Sequence, residues 1–260
     1  MKKKVYLATI CIITVACIII GCIWHMGGLF SGDFSFSSMF SGEKSVNENK
    51  TIDLDDFSSI VVDTDIMDVT VKTGTKYSLH YECSRESHIP KYTVENGTLK
   101  VTQKHKGGFH LFSFGTGGSA KLEITVPEGV SIKNLDVKSD TGEVLITGIS
   151  TDTTKVSLDT GSLKTEKCHL GETNIETDTG DVVLTGSDFG GIKVENDTGD
   201  IKISGCPSVR DFDKVEMETD TGDVTIYGEN QGEKFSMTND SGNGHKIKFG
   251  TDTGDIIVEE

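Results

Sequence analysis

The amino-acid sequence predicts an all-β fold, a parallel β-solenoid-like stack of two-strand coils of about 20 residues each, and two observations predict it. The first is an Asp-Thr-Gly motif that returns at a nearly constant period. Its seven copies begin at Asp140, Asp159, Asp178, Asp197, Asp220, Asp240 (where Ser replaces Thr) and Asp252. The second is the alternation of apolar and polar residues on both sides of most copies, which is typical of half-buried strands. A fixed period of this length indicates stacked supersecondary units.

Each repeat unit is predicted to run as strand, Asp-Thr-Gly turn, strand and glycine turn. Around the first copy, Leu135 and Val137 precede the Asp, Val144 and Ile146 follow it, and Gly148 closes the second strand. The Asp side chain is expected to accept a hydrogen bond from the backbone two residues further on, while the Gly supplies a positive φ. The predicted turn residues are therefore Asp140 and Gly142, Asp159 and Gly161, Asp178 and Gly180, Asp197 and Gly199, Asp220 and Gly222, and Asp252 and Gly254.

Stability is expected to come from contacts between units, because one unit buries too few apolar side chains to offset the entropy lost on ordering it. Nearly identical turns at constant spacing favour parallel stacking of successive coils. An antiparallel β-sandwich has strands at a similar spacing and is the alternative that strand count alone leaves open.

The N-terminal segment, residues 1–24, is predicted to be a membrane anchor. Three lysines, Lys2 to Lys4, precede an uncharged stretch from Val5 to Trp24 that is long enough to cross a bilayer as one transmembrane helix. The lysines place the N-terminus in the cytoplasm, so the rest of the chain is expected to be extracytoplasmic. The alternative is a lipoprotein, since Ile19 to Cys22 resembles a bacterial lipobox in which Cys22 becomes the lipidated N-terminus.

The rest of the chain divides into three segments. Residues 25–50 are rich in Gly, Ser and Phe and then polar, and they are predicted to be a juxtamembrane linker. Residues 51–126 hold a first coil, with Ile66-Met67 where Thr-Gly would stand, followed by antiparallel strands that include a hairpin through Asn96-Gly97. Residues 127–260 are the β-repeat region.

One short segment carries a resemblance to a known family. The run from Ile124 to Val130 (Ile-Thr-Val-Pro-Glu-Gly-Val), followed by repeated strands of the form Gly-Asp/Glu-apolar-x-apolar, resembles the bacterial family called putative adhesin. The resemblance covers roughly residues 55–260 and implies a β-strand repeat fold. Some members of that family are membrane-anchored proteins of envelope-stress operons in Gram-positive bacteria. The family implies no site residues.

The motifs argue against several kinds of chemistry. Asp-Thr-Gly is also the catalytic signature of aspartic proteases, and Leu158 to Ser162 matches it best, but that chemistry needs two carboxylates that share a proton. A turn explains all seven copies, and a protease explains one. The seven histidines show no metal-ligand spacing, and a net charge of −16 argues against nucleic acid as a partner. The chain is therefore predicted not to be an enzyme.

The acidic residues of the turns are predicted to form two columns on stacked coils. The first contains the Asp of each motif, and the second contains the acid three residues later, as in Glu143, Asp181, Asp200 and Asp223. Neighbouring charges about 4.8 Å apart repel by only about 1 kcal/mol in water, so an exposed column needs no ion. A solvated edge without any cofactor is the simpler interpretation, and a weak Ca²⁺ site at Asp181, Asp200 and Asp223 is the alternative.

Two features outside the motif itself have structural interpretations. Cys168 and Cys206 each fall nine residues after a motif Asp, so they are expected to share a column two coils apart, too far for a disulfide. The stretch from Lys104 to Gly115 is basic and then aromatic. It is interpreted either as a cap on one end of the solenoid or as a loop that contacts the membrane interface or a partner.

The charge outside the predicted membrane span sets the expected partners. Without Lys2 to Lys4, 22 basic and 41 acidic residues remain, a charge of −19, which attracts cations and repels anionic lipid headgroups. The first hypothesis is a non-enzymatic, membrane-anchored, adhesin-like binding or scaffold module, with the cell wall or another protein as partner. The second is an envelope-stress sensor or regulator that binds cationic peptides or a membrane partner. A third, a polysaccharide-processing enzyme on a β-helix, lacks support because the acids belong to the repeated columns.

Overall fold

A computed structural model describes residues 45–104, 120–239, 242 and 244–260, and these residues form β-strands joined by turns and two short 3₁₀ helices (Glu86–His88 and Val209–Asp211). All of them belong to one compact unit, Glu43–Glu260. The strands are β1 (Ser45–Asp53), β2 (Ser59–Ile66), β3 (Asp68–Gly74), β4 (Ser78–Arg85), β5 (Lys91–Glu95), β6 (Thr98–Gln103), β7 (Ala120–Pro127), β8 (Ser131–Thr141), β9 (Val144–Thr147), β10 (Ser150–Thr160), β11 (Leu163–Glu166), β12 (His169–Thr179), β13 (Val182–Thr185), β14 (Asp188–Thr198), β15 (Ile201–Ser204), β16 (Lys214–Thr221), β17 (Val224–Ile226), β18 (Glu229–Asn230), β19 (Lys234–Thr238), β20 (Lys246–Thr253) and β21 (Ile256–Val258). No helix in this part of the chain is long and apolar enough to cross a membrane, and the predicted span, residues 5–24, lies outside it.

The repeats stack in parallel, as the constant spacing of the motif predicts. Val156 of the long strand β10 stands in register beside Val137 of β8 and Ile175 of β12, which lie 19 residues before and after it. The short strand β11 is paired in the same way between β9 and β13. The prediction of a parallel, solenoid-like stack is confirmed, and the antiparallel sandwich is wrong for the repeat region.

The long and short strands form two sheets that share one core. The short-strand sheet runs β1-β4-β7-β3-β9-β11-β13-β15-β21-β17-β18, and the long-strand sheet runs β5-β6-β2-β8-β10-β12-β14-β20-β16-β19. Side chains alternate between the inside and the outside of the stack, so Val182 is fully buried whereas Val183 is half-exposed. A continuous cluster of buried apolar residues fills the interior.

The order of the coils in the stack differs from their order in the chain near the C-terminus. The coil of β20 and β21 lies between the coil of β14 and β15 and the coil of β16 and β17. Ile256 of the last strand is consequently in register between Ile201 and Val224. The predicted acidic columns assume that the coils stack in chain order. That assumption is therefore wrong at this end of the molecule.

The sixth motif copy, residues 240–242, does not close a coil. The apolar pair before it, Phe235 and Met237, lies on β19, which is antiparallel to β16 at the end of the long-strand sheet. Both side chains are only half-buried. The backbone N–H of Gly242 donates to Asp213 Oδ1 at 3.0 Å, and residues 240 and 241 lie outside the described chain. The prediction failed here because alternation is the same in a strand that caps a stack and in a strand of a coil.

The segment predicted as antiparallel, within residues 77–126, is only partly so. β4 is antiparallel to β7, and the hairpin of β5 and β6 turns through Asn96 and Gly97, both with positive φ (52° and 71°). However, β6 pairs parallel with β2, and β7 pairs parallel with β3, so these two strands form one more coil of the stack. β1 begins at Ser45, so the last part of the predicted linker, residues 25–50, is a strand.

Antiparallel strands cover both ends of the stack. β5, β4 and β1 lie beyond the coil of β6 and β7, and β19 and β18 lie beyond the coil of β16 and β17. An uncovered end would offer unpaired backbone groups and core side chains to further strands, and repeat proteins use atypical terminal units against this. The basic and aromatic stretch from Lys104 to Gly115, interpreted as a cap or as a loop that contacts the membrane interface or a partner, lies outside the described residues apart from Lys104.

Candidate functional site

Glycines form a column at the corner where each long strand passes into its short strand. The Gly of each Asp-Thr-Gly motif has φ between +140° and +149°, a region that residues with a side chain rarely adopt. A Cβ at Gly161 would overlap the carbonyl oxygen of Gly142 in the adjacent coil, and the other glycines of the column meet the same obstacle. The corner therefore needs glycine for its backbone conformation and for the close approach of stacked backbones. These residues are Gly142, Gly161, Gly180, Gly199, Gly254 and Gly222.

The residue after each glycine belongs to a ladder of hydrogen bonds between coils. The carboxylate of Asp181 accepts from the backbone N–H of Asp200 at 3.0 Å, and the carboxylate of Asp200 accepts from that of Asp255 at 2.9 Å. Asp255 in turn accepts from the N–H of Asp223 at 2.9 Å. On the other side, the N–H of Asp181 donates to the hydroxyl of Ser162 at 3.2 Å. These side chains cap backbone groups of the neighbouring coil.

The ladder gives two of the calcium candidates, Asp181 and Asp200, a structural role through their carboxylates, and it engages the third, Asp223, through its backbone N–H. Asp255 lies between Asp200 and Asp223, so the three candidates are not consecutive in the stack as predicted. One oxygen of Asp181 and one of Asp200 is already engaged with backbone N–H. Among the described residues, no group of three or more His, Cys, Asp or Glu side chains is arranged to hold a metal ion.

Asp200 is the ladder residue with the most perturbed electrostatics. The hydrogen bond from the backbone N–H of Asp255, aided by the ammonium of Lys202 at 3.0 Å, holds the pKa of the Asp200 carboxyl below its usual range despite partial burial. The same carboxylate raises the pKa of Lys202. Both groups therefore remain charged at neutral pH, and the ladder is reinforced by an ion pair at this coil.

The Asp that opens each motif differs from the ladder residues, because it faces solvent and has no bound partner among the described residues. The Thr that follows it pairs in register from coil to coil, so these Asp residues lie in one row with a spacing of about 4.8 Å. We call this set the aspartate row; in stack order it consists of Asp140, Asp159, Asp178, Asp197, Asp252 and Asp220. Asp140 is half-exposed and the others are exposed. None of the six carboxylates forms a hydrogen bond or an ion pair with any residue in the described ranges.

The predicted bond from the motif Asp to its own turn is missing because the turn has other partners. The long strand continues through the motif, with Thr160 in register between Thr141 and Thr179. The backbone N–H of Gly161 then donates to the carbonyl of Thr179 at 2.8 Å. Backbone groups at the corner are thus satisfied by the adjacent coil, and the Asp side chain is left free. Asp159, the best match to the protease signature, is an ordinary member of the row.

One end of the row already holds a cation. Asp65 occupies the row position beside Asp140, and the ammonium of Lys104 lies 2.9 Å from Asp65 Oδ1 and 2.8 Å from Asp63 Oδ1. The two carboxylates raise the pKa of Lys104. This contact shows that a lysine side chain fits between two acids that are two residues apart on an outward-facing strand.

The cysteines of the described chain take no part in this surface. Cys83, Cys168 and Cys206 are free thiols, and Ser187 separates Cys168 from Cys206, as their common offset from the motif predicts. The backbone N–H of Cys168 donates to Ser187 Oγ at 3.2 Å. Burial raises the pKa of all three thiols, to about 11 at Cys83, so they are protonated at neutral pH.

The fold and its two acidic columns define a capped, two-sheet parallel β-repeat protein with an acidic edge. A family model described as Toastrack DUF4097 matches residues 57–258, and the chain belongs to that family. The resemblance to an adhesin-type family of β-strand repeats, predicted from the sequence, is confirmed. A comparison with curated proteins finds no match.

Several solved structures of bacterial proteins resemble the chain at low sequence identity. A putative cell adhesion protein from Clostridium sporogenes is 17% identical, with a TM-score of 0.49 over 83% of this chain and 99% of that chain. A putative adhesin from Bacteroides fragilis is 12% identical, with a TM-score of 0.34 over 84% and 99% of the two chains. A putative lipid binding protein from Parabacteroides distasonis is 13% identical, with a TM-score of 0.36 over 83% and 95%. Similarities at this level assign no function to the chain.

Proposed function

We propose that the chain is a non-enzymatic, membrane-anchored, extracytoplasmic module that binds or scaffolds partners at the cell envelope in an adhesin-like manner. The observation that carries the proposal is the aspartate row, a set of in-register carboxylates with no partner among the described residues. The partners we propose are cationic peptides, cell-wall components or proteins with basic surfaces. No nucleic acid and no cofactor is part of the proposal.

The aspartate row is suited to cations because its charges repel one another and form no ion pair within the described residues, although Asp220 lies within electrostatic range of Lys234. Neighbouring carboxylates about 4.8 Å apart cost each other about 1 kcal/mol in water, and a bound cation relieves that cost. The charge of −19 outside the predicted anchor draws cations to the surface from a distance. Since the paired strands hold the row in fixed register, binding requires little ordering of the protein.

A second candidate function rests on the same surface. An envelope-stress sensor or regulator that detects cationic antimicrobial peptides would need an exposed acidic site outside the membrane, and the row is an exposed acidic site. The anchor proposed at residues 1–24, with Lys2 to Lys4 on the cytoplasmic side, would hold that site at the outer face of the membrane. The two candidates share the binding event and differ in its consequence, which is attachment or scaffolding for the first and a signal for the second.

The binding event is tested with the full-length chain in a nonionic detergent and a fluorescein-labelled oligolysine peptide. The triple variant Asp140→Asn, Asp159→Asn, Asp178→Asn removes half of the row. We expect it to weaken binding about tenfold at low salt, because exposed ion pairs contribute about 0.5 kcal/mol each and three are lost. Fluorescence anisotropy measures the affinity, which should fall steeply as salt rises.

The matched control removes three charges from exposed acids that lie outside the row, with Glu128→Gln, Asp152→Asn and Glu229→Gln combined. This variant has the same net charge as the row variant. If the two triple variants lose the same affinity, or if binding is independent of salt, the row has no special role and the charge serves only solubility.

A further inference from the structure

A groove with a volume of about 750 Å³ crosses the outward face of the long-strand sheet over β14, β20, β16 and β19. In-register pairing places Glu195, Gly250 and Glu218 side by side across it, with Lys234 of β19 next in line. The last three members of the aspartate row line one side of the groove. The groove therefore shares three residues with the aspartate row and extends beyond the row across the long-strand sheet.

Gly250 lies at the floor of this groove, and the fold gives no reason for a glycine there. Its φ is not in the left-handed region, and a Cβ would have no other heavy atom within 4 Å. The same row position carries a side chain in neighbouring coils, namely Glu176, Glu195 and Glu218. Glycine within a strand weakens it and often marks the close approach of a ligand or another backbone. The missing side chain leaves a gap that a ligand group can enter.

Two pairs of acids flank the gap. Glu195 and Asp197 lie on β14, and Glu218 and Asp220 lie on β16. Residues two apart on a strand point to the same face and are separated by about 7 Å. The pair Asp63 and Asp65 has this arrangement in the same two rows at the other end of the sheet, and there it holds the ammonium of Lys104. The contact shows that an ammonium group at the end of the neighbouring strand can pair with both acids at once.

The remaining charges of the groove favour a cationic ligand. Its lining holds six carboxylates and two ammonium groups, those of Lys234 and Lys248. Lys234 pairs with Glu218, while Glu195 pairs with Lys193 at 2.7 Å and lies 3.8 Å from Lys248. These ion pairs are well exposed, so they contribute little and can be exchanged for the cations of a ligand.

We propose that this groove, the Gly250 groove, binds an extended peptide with basic residues at alternate positions. One basic side chain enters the gap over Gly250, between Glu195 and Glu218. The next basic side chain, about 7 Å further along the peptide, reaches Asp252 in the aspartate row. The inference rests on the proposed function and identifies where, and in which spacing, the cationic partner is recognised.

The test compares two fluorescein-labelled pentapeptides on the full-length chain, Gly-Arg-Gly-Arg-Gly and its counterpart with citrulline in place of both arginines. Gly250→Thr fills the gap with a residue that suits a strand, so the unfolding midpoint should stay the same or rise. Affinity for the arginine peptide should fall about tenfold, since a charge-assisted contact is lost. Glu218→Gln is expected to weaken binding to a similar degree.

Glu176→Gln is the matched control, because it removes one carboxylate from the same row at a coil without a gap. Equal losses from Glu176→Gln and Glu218→Gln, unchanged binding by Gly250→Thr, or equal affinity for the citrulline peptide would each overturn the proposal. If Gly250→Thr loses its fold, the comparison of the two glutamate variants decides alone.

A loss of binding in the Asp140, Asp159 and Asp178 triple variant, together with full binding by Gly250→Thr, leaves the proposed function standing and removes the groove. No binding of the arginine peptide while oligolysine still binds removes the groove and leaves the proposed function standing, and no binding of either peptide contradicts both.

Discussion

At the scale of single residues, two acids three positions apart perform different tasks at three corners of the stack, those of Asp178 and Asp181, Asp197 and Asp200, and Asp252 and Asp255. Asp197 is exposed and unbound, whereas Asp200 accepts a hydrogen bond from the backbone of the next coil and pairs with Lys202. The glycine between them, Gly199, turns the chain so that the first acid ends the outward face of one sheet and the second faces the adjacent coil. One acid is thus available for binding, and the other contributes to stability.

Asp200→Asn should lower the free energy of unfolding by about 1 kcal/mol at pH 7, because a charged acceptor and an ion pair are lost. Folding lowers the pKa of Asp200, so its contribution is complete above the ordinary pKa of an aspartate and is lost as the pH falls through the lowered value. The difference between variant and wild type should therefore shrink in acid. Urea unfolding at pH 7 and at an acidic pH below the lowered pKa measures this difference. Asp197→Asn, in the same coil, should have almost no effect, and equal destabilisation by the two variants would contradict the division of tasks.

At the scale of elements, the coils could be predicted from the sequence and their order could not. Alternation and the glycine positions are local, so Val182 and Val183 are assigned to the inside and the outside without knowledge of their neighbours. The position of β20 between β14 and β16 could not be predicted, because all of these strands have the same alternation. No local sequence feature determines which of them pair. The role of the motif Asp was misassigned for a related reason. An Asp followed two residues later by Gly fits an isolated turn, but hydrogen bonds from the next coil replace that turn.

The position of the last coil predicts that a core substitution near the C-terminus destabilises the neighbouring coil as well as its own. Ile256 is fully buried, and its strand pairs with β15 and β17 on its two sides. Ile256→Asp should lower the free energy of unfolding by more than about 3 kcal/mol, because a charge enters the shared core. Hydrogen exchange should show lost protection in β16 and β17 as well as in β20 and β21. Ile257→Asp, one residue on and half-exposed, is the control. Damage confined to the last coil would indicate that the stack follows chain order.

At the scale of the whole molecule, the acidic surface and the proposed anchor depend on each other. A body with a charge of −19 is repelled by anionic headgroups, so it has no electrostatic means of staying at a bilayer surface. The antiparallel strands at both ends oppose end-to-end growth of the stack, which is consistent with a module presented singly. We therefore propose that attachment comes from the N-terminal segment, either as a transmembrane helix or through a lipid.

The proposed transmembrane anchor predicts that the mature protein retains Lys2 to Lys4 and that Cys22→Ala leaves membrane association unchanged. An uncharged stretch from Val5 to Trp24 is long enough to span the hydrocarbon core without any lipid. Membrane fractionation of wild type and Cys22→Ala, with intact-mass analysis of the purified protein, measures both consequences. Replacing Leu7 and Ile13 by Lys is the matched disruption, because it breaks the apolar span and leaves Cys22 in place. A diacylglyceryl-modified N-terminal Cys22, with release of Cys22→Ala from the membrane, would establish the lipoprotein instead.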